Sequence, residues 1–390
     1  MASVPFWALF ALLPVILYKE LEATPLQLAL IIALKPLSAL LSPYWSHLVG
    51  RGTNQLRNNL LWAHLFRYLP FLVLPWYGDV FFLIAAHTLF MAFKRAAIPS
   101  WMEVMKRNMQ TGQSQKLFAS VSALDYLCSA ALPLLFGWLL DEYEGSWRYL
   151  FFATGLIGGA SSLLYLYLPV EKSKDQAARV QEKLSFSLIG PWRSSYRLLL
   201  DRPDFALFQL GFMLCGTALM LIHVALPAFF VDQLHLSYGA ISMAITSCKG
   251  IGFALSSPLW SKAFSRSSIF AFSSRVTLLA TLFPLLILVS PWQLSALYGA
   301  YLLYGAMQAG SELGWNLSGP LFSGKEESLD YSNANILAVG LRGALLFLIG
   351  DPLYGLAGGQ LLLVAAAALC GLATLTLASS SRRYAVAVII

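Results

Sequence analysis

The sequence predicts an all-α integral membrane protein whose twelve transmembrane helices form two six-helix bundles, related by a pseudo-two-fold axis along the membrane normal. Three observations lead to this fold class. Hydrophobic residues make up 58% of the 390-residue chain and charged residues only 12%, with a mean hydropathy of +0.67, which lies outside the range of soluble proteins. The apolar residues fall into twelve long runs. Landmarks in the first six runs recur in the last six.

Each apolar run is long enough to cross a membrane. About 17 to 25 residues at ~1.5 Å per residue span ~30 Å of hydrocarbon, and a backbone without water must satisfy its hydrogen bonds in helices or closed barrels. The first run follows no basic region and precedes no small-residue cleavage site, so we predict a retained helix rather than a signal peptide. The predicted spans are 3–18, 27–47, 59–75, 80–101, 117–140, 147–168, 205–231, 239–262, 268–289, 292–316, 332–350 and 359–379.

The internal repeat is clearest in a five-residue motif. Ser42-Pro43-Tyr44-Trp45-Ser46 recurs as Ser257-Pro258-Leu259-Trp260-Ser261, an offset of 215 residues. Repeats at a fixed offset indicate two copies of one structural unit. Other pairs at offsets of 213 to 216 are Leu13-Pro14 with Leu226-Pro227, Leu21-x-x-Thr24 with Leu234-x-x-Ser237, Pro75-Trp76 with Pro291-Trp292, and Trp101 with Trp315.

Charge sets the predicted orientation. The net charge is +7, and with both termini in the cytoplasm 17 of the 26 Lys and Arg fall in cytoplasmic segments, as the positive-inside rule requires. The charge therefore reflects topology and not a nucleic-acid partner. We expect a bacterial inner membrane protein with a first bundle at 1–168, a cytoplasmic linker at 169–204 and a second bundle at 205–390. Both halves start on the same side, which implies an axis along the membrane normal.

The linker combines basic and aromatic residues. Trp192 and Tyr196 alternate with Arg193 and Arg197, a pattern that suits a short amphipathic helix on an anionic lipid surface. A merely solvated connector is the alternative.

Several functional classes lack their sequence signals. The four cysteines all lie in apolar runs without C-x-x-C spacing, so we interpret them as packing residues and expect no metal and no cofactor. No G-x-x-x-x-G-K-[ST] phosphate loop is present, which argues against a nucleotide-driven pump. We predict that the protein is not an enzyme.

The repeated motif leads into a loop that resembles that of the major facilitator superfamily, where it reads G-x-x-x-D-R-x-G-R-R. The matching stretches are Ser46 to Arg51 and Ser261 to Arg266, and only the arginine is retained in each. The resemblance implies a gating role for Arg51 and Arg266; inner-leaflet anchoring is the alternative. Ser146-Trp147-Arg148 also resembles the start of the family's sixth helix. The resemblance further implies alternating access and a central cavity lined by helices 1, 4, 7 and 10.

Charges within the spans need an explanation, because a charge at mid-bilayer costs roughly 3 kcal/mol on insertion scales. The anions are Asp125 and Glu312, and the cations are Lys35, Arg67, Lys94, Arg95, Lys249, Arg275 and Arg342. Asp125 and Lys249 form an ion pair if helices 5 and 8 pack together as in the family. Lys35 and Arg342 have like charge, so they either point apart or share an anionic ligand. For Lys94, Arg95 and Arg275, near cytoplasmic ends, snorkelling is the simple interpretation.

The predicted function is secondary active transport of a small polar, anionic solute, as a symporter or antiporter. Asp125 and Glu312 are the candidate proton-coupling residues, although uniport or exchange needs neither. A multidrug efflux transporter and a non-transporting receptor are the alternatives. Small-molecule solute, membrane lipid and a coupling proton are the expected partners of a monomer. The candidate substrate-binding residues are Lys35, His87, Lys94, His223, Gln308, Glu312, Trp315 and Arg342; for each histidine, a packing role is the alternative.

Overall fold

The structure, a computed structural model, is helical wherever secondary structure forms in the part of the chain that it describes. The described residues are 4–39, 53–108, 128–129, 131–168, 189–323 and 329–384. Trp45, Arg51 and Asp125 lie outside these ranges. The predictions that rest on those three residues are therefore not addressed by the structure.

The described ends of the helices before the linker lie within three residues of the predicted spans, with two exceptions. The third helix begins six residues before its predicted start, and the fourth ends seven residues after its predicted end. A 3₁₀ turn continues the third helix over Leu69–Val73 and the sixth over Leu163–Tyr167. The helices are α1 (Val4–Leu21), α2 (Pro25–Ala39), α3 (Thr53–Tyr68), α4 (Val80–Asn108), α5 (131–142) and α6 (Trp147–Ser162).

The second part of the chain begins with the linker helix α7, Gly190–Asp201. The long helix Leu329–Arg383 is interrupted at Gly358, whose φ of +67° is readily adopted only by glycine. We number its two limbs α12 (329–357) and α13 (Gly358–Arg383). The helices between are α8 (Pro203–Ala228), α9 (Tyr238–Phe264), α10 (Ile269–Val289) and α11 (Ser295–Ser323).

Six segments of the described chain are long and apolar enough to cross a membrane. Two shorter apolar helices, Pro25–Ser38 and Ala334–Leu346, lie between them in sequence. The candidate spans are Val4–Leu21, Trp147–Tyr167, Pro203–Gln233, Tyr238–Phe264, Ile269–Val289 and Gly358–Arg383.

The turn after α1 and the turn after α8 have the same local structure. Glu22 and His235, 213 residues apart, are the non-glycine residues of the described chain with positive φ, at 48° and 49°. The next helix begins three residues later in each case. Thr24 Oγ1 accepts the N–H of Gln27 at 3.4 Å, and Ser237 Oγ accepts that of Ala240 at 3.2 Å. The sequence repeat is therefore also a repeat of backbone conformation.

A second pair of turns follows the same plan at an offset of 216 residues. The N–H of Trp76 donates to the carbonyl of Val73 at 3.0 Å, and that of Trp292 donates to the carbonyl of Val289 at 3.1 Å. Both tryptophans are exposed, by 77% and 83%. Exposed tryptophan at helix ends is typical of membrane–water interfaces.

Asp79 begins α4 within the first of these turns. Its carboxylate accepts the N–H of Phe82 and the hydroxyl of Tyr77, each at 2.6 Å. The backbone hydrogen bond from Phe82 and the hydrogen bond from Tyr77 hold the pKa of Asp79 below its ordinary value. The charged form is therefore retained as an N-terminal cap.

Glycine allows α9 and α11 to touch backbone to backbone. A Cβ on Gly305 would overlap the carbonyl of Lys249, and a Cβ on Gly252 would overlap the carbonyl of Leu302. Small residues at such crossings let membrane helices approach closely. The two contacts fix α9 against α11.

Two further glycine contacts join the part of the chain before α7 to the part after it. A Cβ on Gly343 of α12 would come within 2.6 Å of Pro36 Cγ on α2. A Cβ on Gly137 of α5 would lie 2.5 Å from Ser242 Oγ on α9. The contact between α5 and α9 joins the fifth and eighth predicted spans, the pairing that the family resemblance implies, and the contact between α2 and α12 joins the second and eleventh.

The linker helix is attached to the helices that follow it. Arg202 donates to the carbonyl of Phe322 at 2.9 Å and to the hydroxyl of Tyr331 at 2.7 Å, and it forms an ion pair with Asp204 at 2.9 Å. Residues 198–199 pack against the same buried cluster. Residues 190–201 therefore form a helix that packs along one side against the helices that follow it, and contact of its exposed side with lipid stays a prediction.

The close contact between α9 and α11 makes a stability prediction. In Gly305→Ala the added methyl meets the Lys249 carbonyl, and overpacking of this kind costs about 1 to 3 kcal/mol. We expect a lower melting temperature of the purified protein in detergent. Gly299→Ala is the matched control on the same helix, because nothing lies within 4 Å of its Cβ position. Equal melting temperatures for the two variants would contradict the contact.

Candidate functional site

A central cavity of about 830 Å³ lies between the helices on either side of α7. Its walls come from α1, α2, α4, α5 and Ser129 on one side and from α8 to α13 on the other. Seven of the eight predicted substrate-binding residues line it: Lys35, His87, His223, Gln308, Glu312, Trp315 and Arg342.

Trp7 organises the first wall. The ammonium of Lys94 lies 3.6 Å from the centre of its indole ring and that of Lys35 lies 5.6 Å away. His87 is buried and meets Phe10 edge to face at 4.8 Å. Lys94 itself is not a lining residue, because Trp7 covers its charge on the cavity side; this differs from the sequence prediction. Cation–π contacts stabilise both ammonium groups without a carboxylate.

Arg342 dominates the second wall, and Gly216 makes room for it. A Cβ on Gly216 would overlap the Arg342 guanidinium, so only glycine at this position of α8 permits the observed rotamer. The guanidinium lies 5.6 Å from the ring of Phe212, which stacks on Trp315 at 5.1 Å. Arg342 Nε is buried and has no hydrogen-bond partner in the described structure. Arg342 itself lines the cavity.

A polar stripe along one face of α11 lines the cavity. Within this stripe the side chains of Gln308 and Glu312, one turn apart, form a hydrogen bond. His223 of α8 faces Tyr304 at 6.1 Å, and its Nδ1 donates to the carbonyl of Leu219 at 2.5 Å. The lining residues of the stripe are Tyr301, Tyr304, Gln308, Ser311, Glu312 and Trp315.

Positive charge exceeds negative charge around the cavity. Four cations line it, and Glu312 is the one carboxylate among its described lining residues. Glu312 interacts electrostatically with Lys249 and Lys35, but no ion pair joins these cations to a carboxylate within the described ranges. The four cations are Lys35, Arg95, Lys249 and Arg342.

Sequence reasoning missed part of this site. Trp7, Phe10 and Phe212 line the cavity, yet apolar aromatic residues in an apolar helix carry no signal of their own. Arg95 was interpreted as snorkelling and instead lines the cavity. Arg266 lies exposed just beyond α9 and away from the cavity.

Contacts join the two parts of the chain at the end of the bundle opposite α7. Asp141, at the end of α5, accepts the N–H groups of Tyr238 and Gly239, both at 2.7 Å. These are the first residues of α9, so the carboxylate caps a helix from the other part of the chain. A carboxylate at a helix N-terminus is favourable because it satisfies unpaired N–H groups and faces the positive end of the helix dipole.

The residues around this cap add further contacts between the two parts. The hydroxyl of Tyr238 donates to Glu20 at 3.0 Å, and the ammonium of Lys19 lies 4.4 Å from the Tyr238 ring. Tyr18 also donates a short hydrogen bond to Asp232. Residues 18–20 of α1 are thereby joined to the ends of α8 and α9.

Comparison with known proteins gives one family. Residues 1–328 match the family model described as Major Facilitator Superfamily. No curated protein sequence matches the chain.

Solved structures of transporters have the same fold. A mutant of the nucleoside transporter NupG is 12% identical with a TM-score of 0.73, covering 97% of each chain. A mutant of the peptide transporter POT in complex with alafosfalin is 16% identical with a TM-score of 0.69, over 98% of this chain and 93% of that one. A bacterial homologue of the iron transporter ferroportin, in an inward-facing state, is 15% identical with a TM-score of 0.69, over 97% and 96%.

The close approach of Gly216 to the Arg342 guanidinium can be tested with a double-mutant cycle. Gly216→Ala should lower the melting temperature, because its methyl displaces the guanidinium at a cost of about 1 to 3 kcal/mol. In an Arg342→Ala background the same change should cost nothing, because the clashing group is gone. Melting in detergent checks both. An equal cost in the two backgrounds would show that Gly216 does not accommodate Arg342.

Proposed function

Because the chain belongs to the Major Facilitator Superfamily, and is therefore a membrane transporter and not an enzyme, we propose that it moves a small polar, anionic solute by alternating access. The observation that carries the proposal is the excess of cations around the cavity, four against one carboxylate among the described lining residues. Charges held in low dielectric need a partner. An anionic solute supplies one.

Two six-helix bundles related by an axis along the membrane normal are part of this proposal. The repeated turns at Glu22 and His235 and at Trp76 and Trp292 support it. The helix order supports it too, since six numbered helices precede α7 and six follow it. We assign the bundles to residues 1–168 and 205–390, the linker to 169–204, and both termini to the cytoplasm of a bacterial cell. The proposed unit is a monomer.

We assign the end of the bundle opposite α7 to the outer face of the membrane. Four contacts at Asp141, Glu20, Lys19 and Asp232 join the two parts of the chain at that end. The proposed state is therefore inward-facing, the state given for the ferroportin homologue. Arg51 and Arg266 are assigned to closing the cytoplasmic end in the alternate state.

We assign some cavity residues to solute binding and others to binding of the coupling proton. Lys35 and Arg342 are the proposed anion-binding pair, with His87, His223, Gln308 and Trp315 as further contacts. Lys94 lies behind Trp7, and we propose that its positive charge attracts the anionic solute without direct contact. Glu312 is the proposed proton carrier, because it is the one carboxylate of the described lining and interacts with Lys35 and Lys249. Asp125 is the second candidate for this role.

Removing one member of the anion-binding pair should weaken binding and leave folding intact. Lys35→Gln or Arg342→Gln removes a charge-assisted hydrogen bond of about 1.5 to 3 kcal/mol, so affinity for the anionic solute should fall ~10- to 150-fold. A screen of organic anions by counterflow in proteoliposomes identifies the solute. Calorimetry and melting of the purified variants then measure affinity and stability.

Arg275→Gln is the matched control, since Arg275 is an exposed cation of α10 that does not line the cavity. Its affinity should equal that of the wild type. Unchanged affinity with a lowered melting temperature in the Lys35 and Arg342 variants would refute the anion site. Uptake of unrelated organic cations in place of anions would instead favour a multidrug transporter.

Glu312→Gln should separate coupling from exchange. The neutral side chain cannot carry a proton, so accumulation driven by a pH gradient should be lost. Counterflow should continue, because exchange proceeds with the site neutral. Both are measured with radiolabelled solute in proteoliposomes. Undiminished accumulation would remove Glu312 from the coupling role.

A further inference from the structure

The linker helix α7 has a packed face, an exposed apolar face and an exposed basic face. At ~100° per residue, Ser195 and residues 198–199 fall on one side and pack against the helices that follow. Trp192, Tyr196 and Leu200 form an adjacent stripe and are 39%, 64% and 64% exposed. The stripe is apolar, continuous and left uncovered by the described residues.

Two arginines lie beside this stripe. Arg193 and Arg197 are exposed, one turn apart, and with Gly190, Ser194 and Leu198 they line a depression of about 360 Å³. Neither arginine forms an ion pair within the part of the chain that the structure describes. Asp201 at the far edge of the depression is its one described carboxylate. The depression therefore carries net positive charge.

The position of α7 places both features at the level of a membrane surface. A candidate span begins at Pro203, two residues after α7 ends. Arg202 between them donates to Phe322 and Tyr331 at the ends of other helices. These bonds fix the rotation of α7, so its stripe and its arginines keep their directions relative to the bundle.

We propose that α7 is a binding site for anionic phospholipid of the adjacent leaflet, with the headgroup phosphate at Arg193 and Arg197. Guanidinium groups bind phosphate with directed, charge-assisted hydrogen bonds. Trp192, Tyr196 and Leu200 lie among the upper acyl chains, as amphipathic interfacial helices do. A soluble phosphate would engage the arginines but leave the apolar stripe in water. The combination of both surfaces on one helix therefore selects a lipid.

The test uses the full protein in bilayers of equal phosphatidylglycerol and phosphatidylcholine, with brominated acyl chains on one lipid at a time. Bromine quenches tryptophan on contact, and subtracting the signal of Trp192→Phe isolates Trp192. We expect stronger quenching from brominated phosphatidylglycerol. Arg193→Gln with Arg197→Gln should lower this preference about fivefold for each arginine removed. High salt should lower it in the wild type.

Arg382→Gln with Arg383→Gln is the control, because it removes the same charge near the end of α13 and should keep the preference. If both double variants lose the phosphatidylglycerol preference equally, the preference depends only on the net charge of the protein, and the proposed site is wrong. If neither brominated lipid quenches Trp192, the stripe faces water or protein instead of acyl chains, and the proposed site is again wrong.

Competition by free glycerol phosphate would assign the depression to a soluble anion instead. If the double variant fails to fold, each single arginine variant gives the same readout. None of these measurements involves transport, so the site and the proposed function fail independently.

Discussion

Hydrogen bonding of the backbone in hydrocarbon is the constraint on which this structure depends. Without water, each N–H and C=O must be satisfied within a helix, so the described chain is helix joined by short turns. Helices in lipid gain little from apolar burial against each other and associate through close packing. Gly252, Gly305 and Gly343 provide it by letting backbones meet.

Aromatic rings contact several cations in and beside the cavity. Lys94 lies over Trp7 and Arg342 near Phe212, and the buried Arg67 lies 4.6 Å from the ring of Tyr68. A ring quadrupole stabilises a cation without cancelling its charge. The cations therefore remain able to attract an anion. A carboxylate partner at the same distance would have neutralised them.

Hydropathy alone located the helices, because spans of apolar residues have few alternatives in a membrane. The sequence also indicated Gln308, Glu312 and Trp315, since polar residues recurring on one helical face stand out against an apolar background. The direction in which each side chain points within the bundle was harder to predict from the sequence. Lys94 and Arg95 are adjacent and ~100° apart on the helix, so one lies behind Trp7 while the other reaches the cavity. Packing decides that difference, and Trp7 and Phe212 offer no polarity by which to find them.

The glycine contacts between α9 and α11 have a consequence for the electric field inside the cavity. Lys249 and Glu312 belong to these two helices, whose backbones touch at Gly252 and Gly305, so this contact holds the two helices at one separation. Lys35 belongs to the other part of the chain, and in the proposed alternating-access cycle its distance from Glu312 would change. The field at Glu312 would then have a fixed component from Lys249 and a variable one from Lys35. If Glu312 is the proton carrier that we propose, the same cycle would change its affinity for a proton.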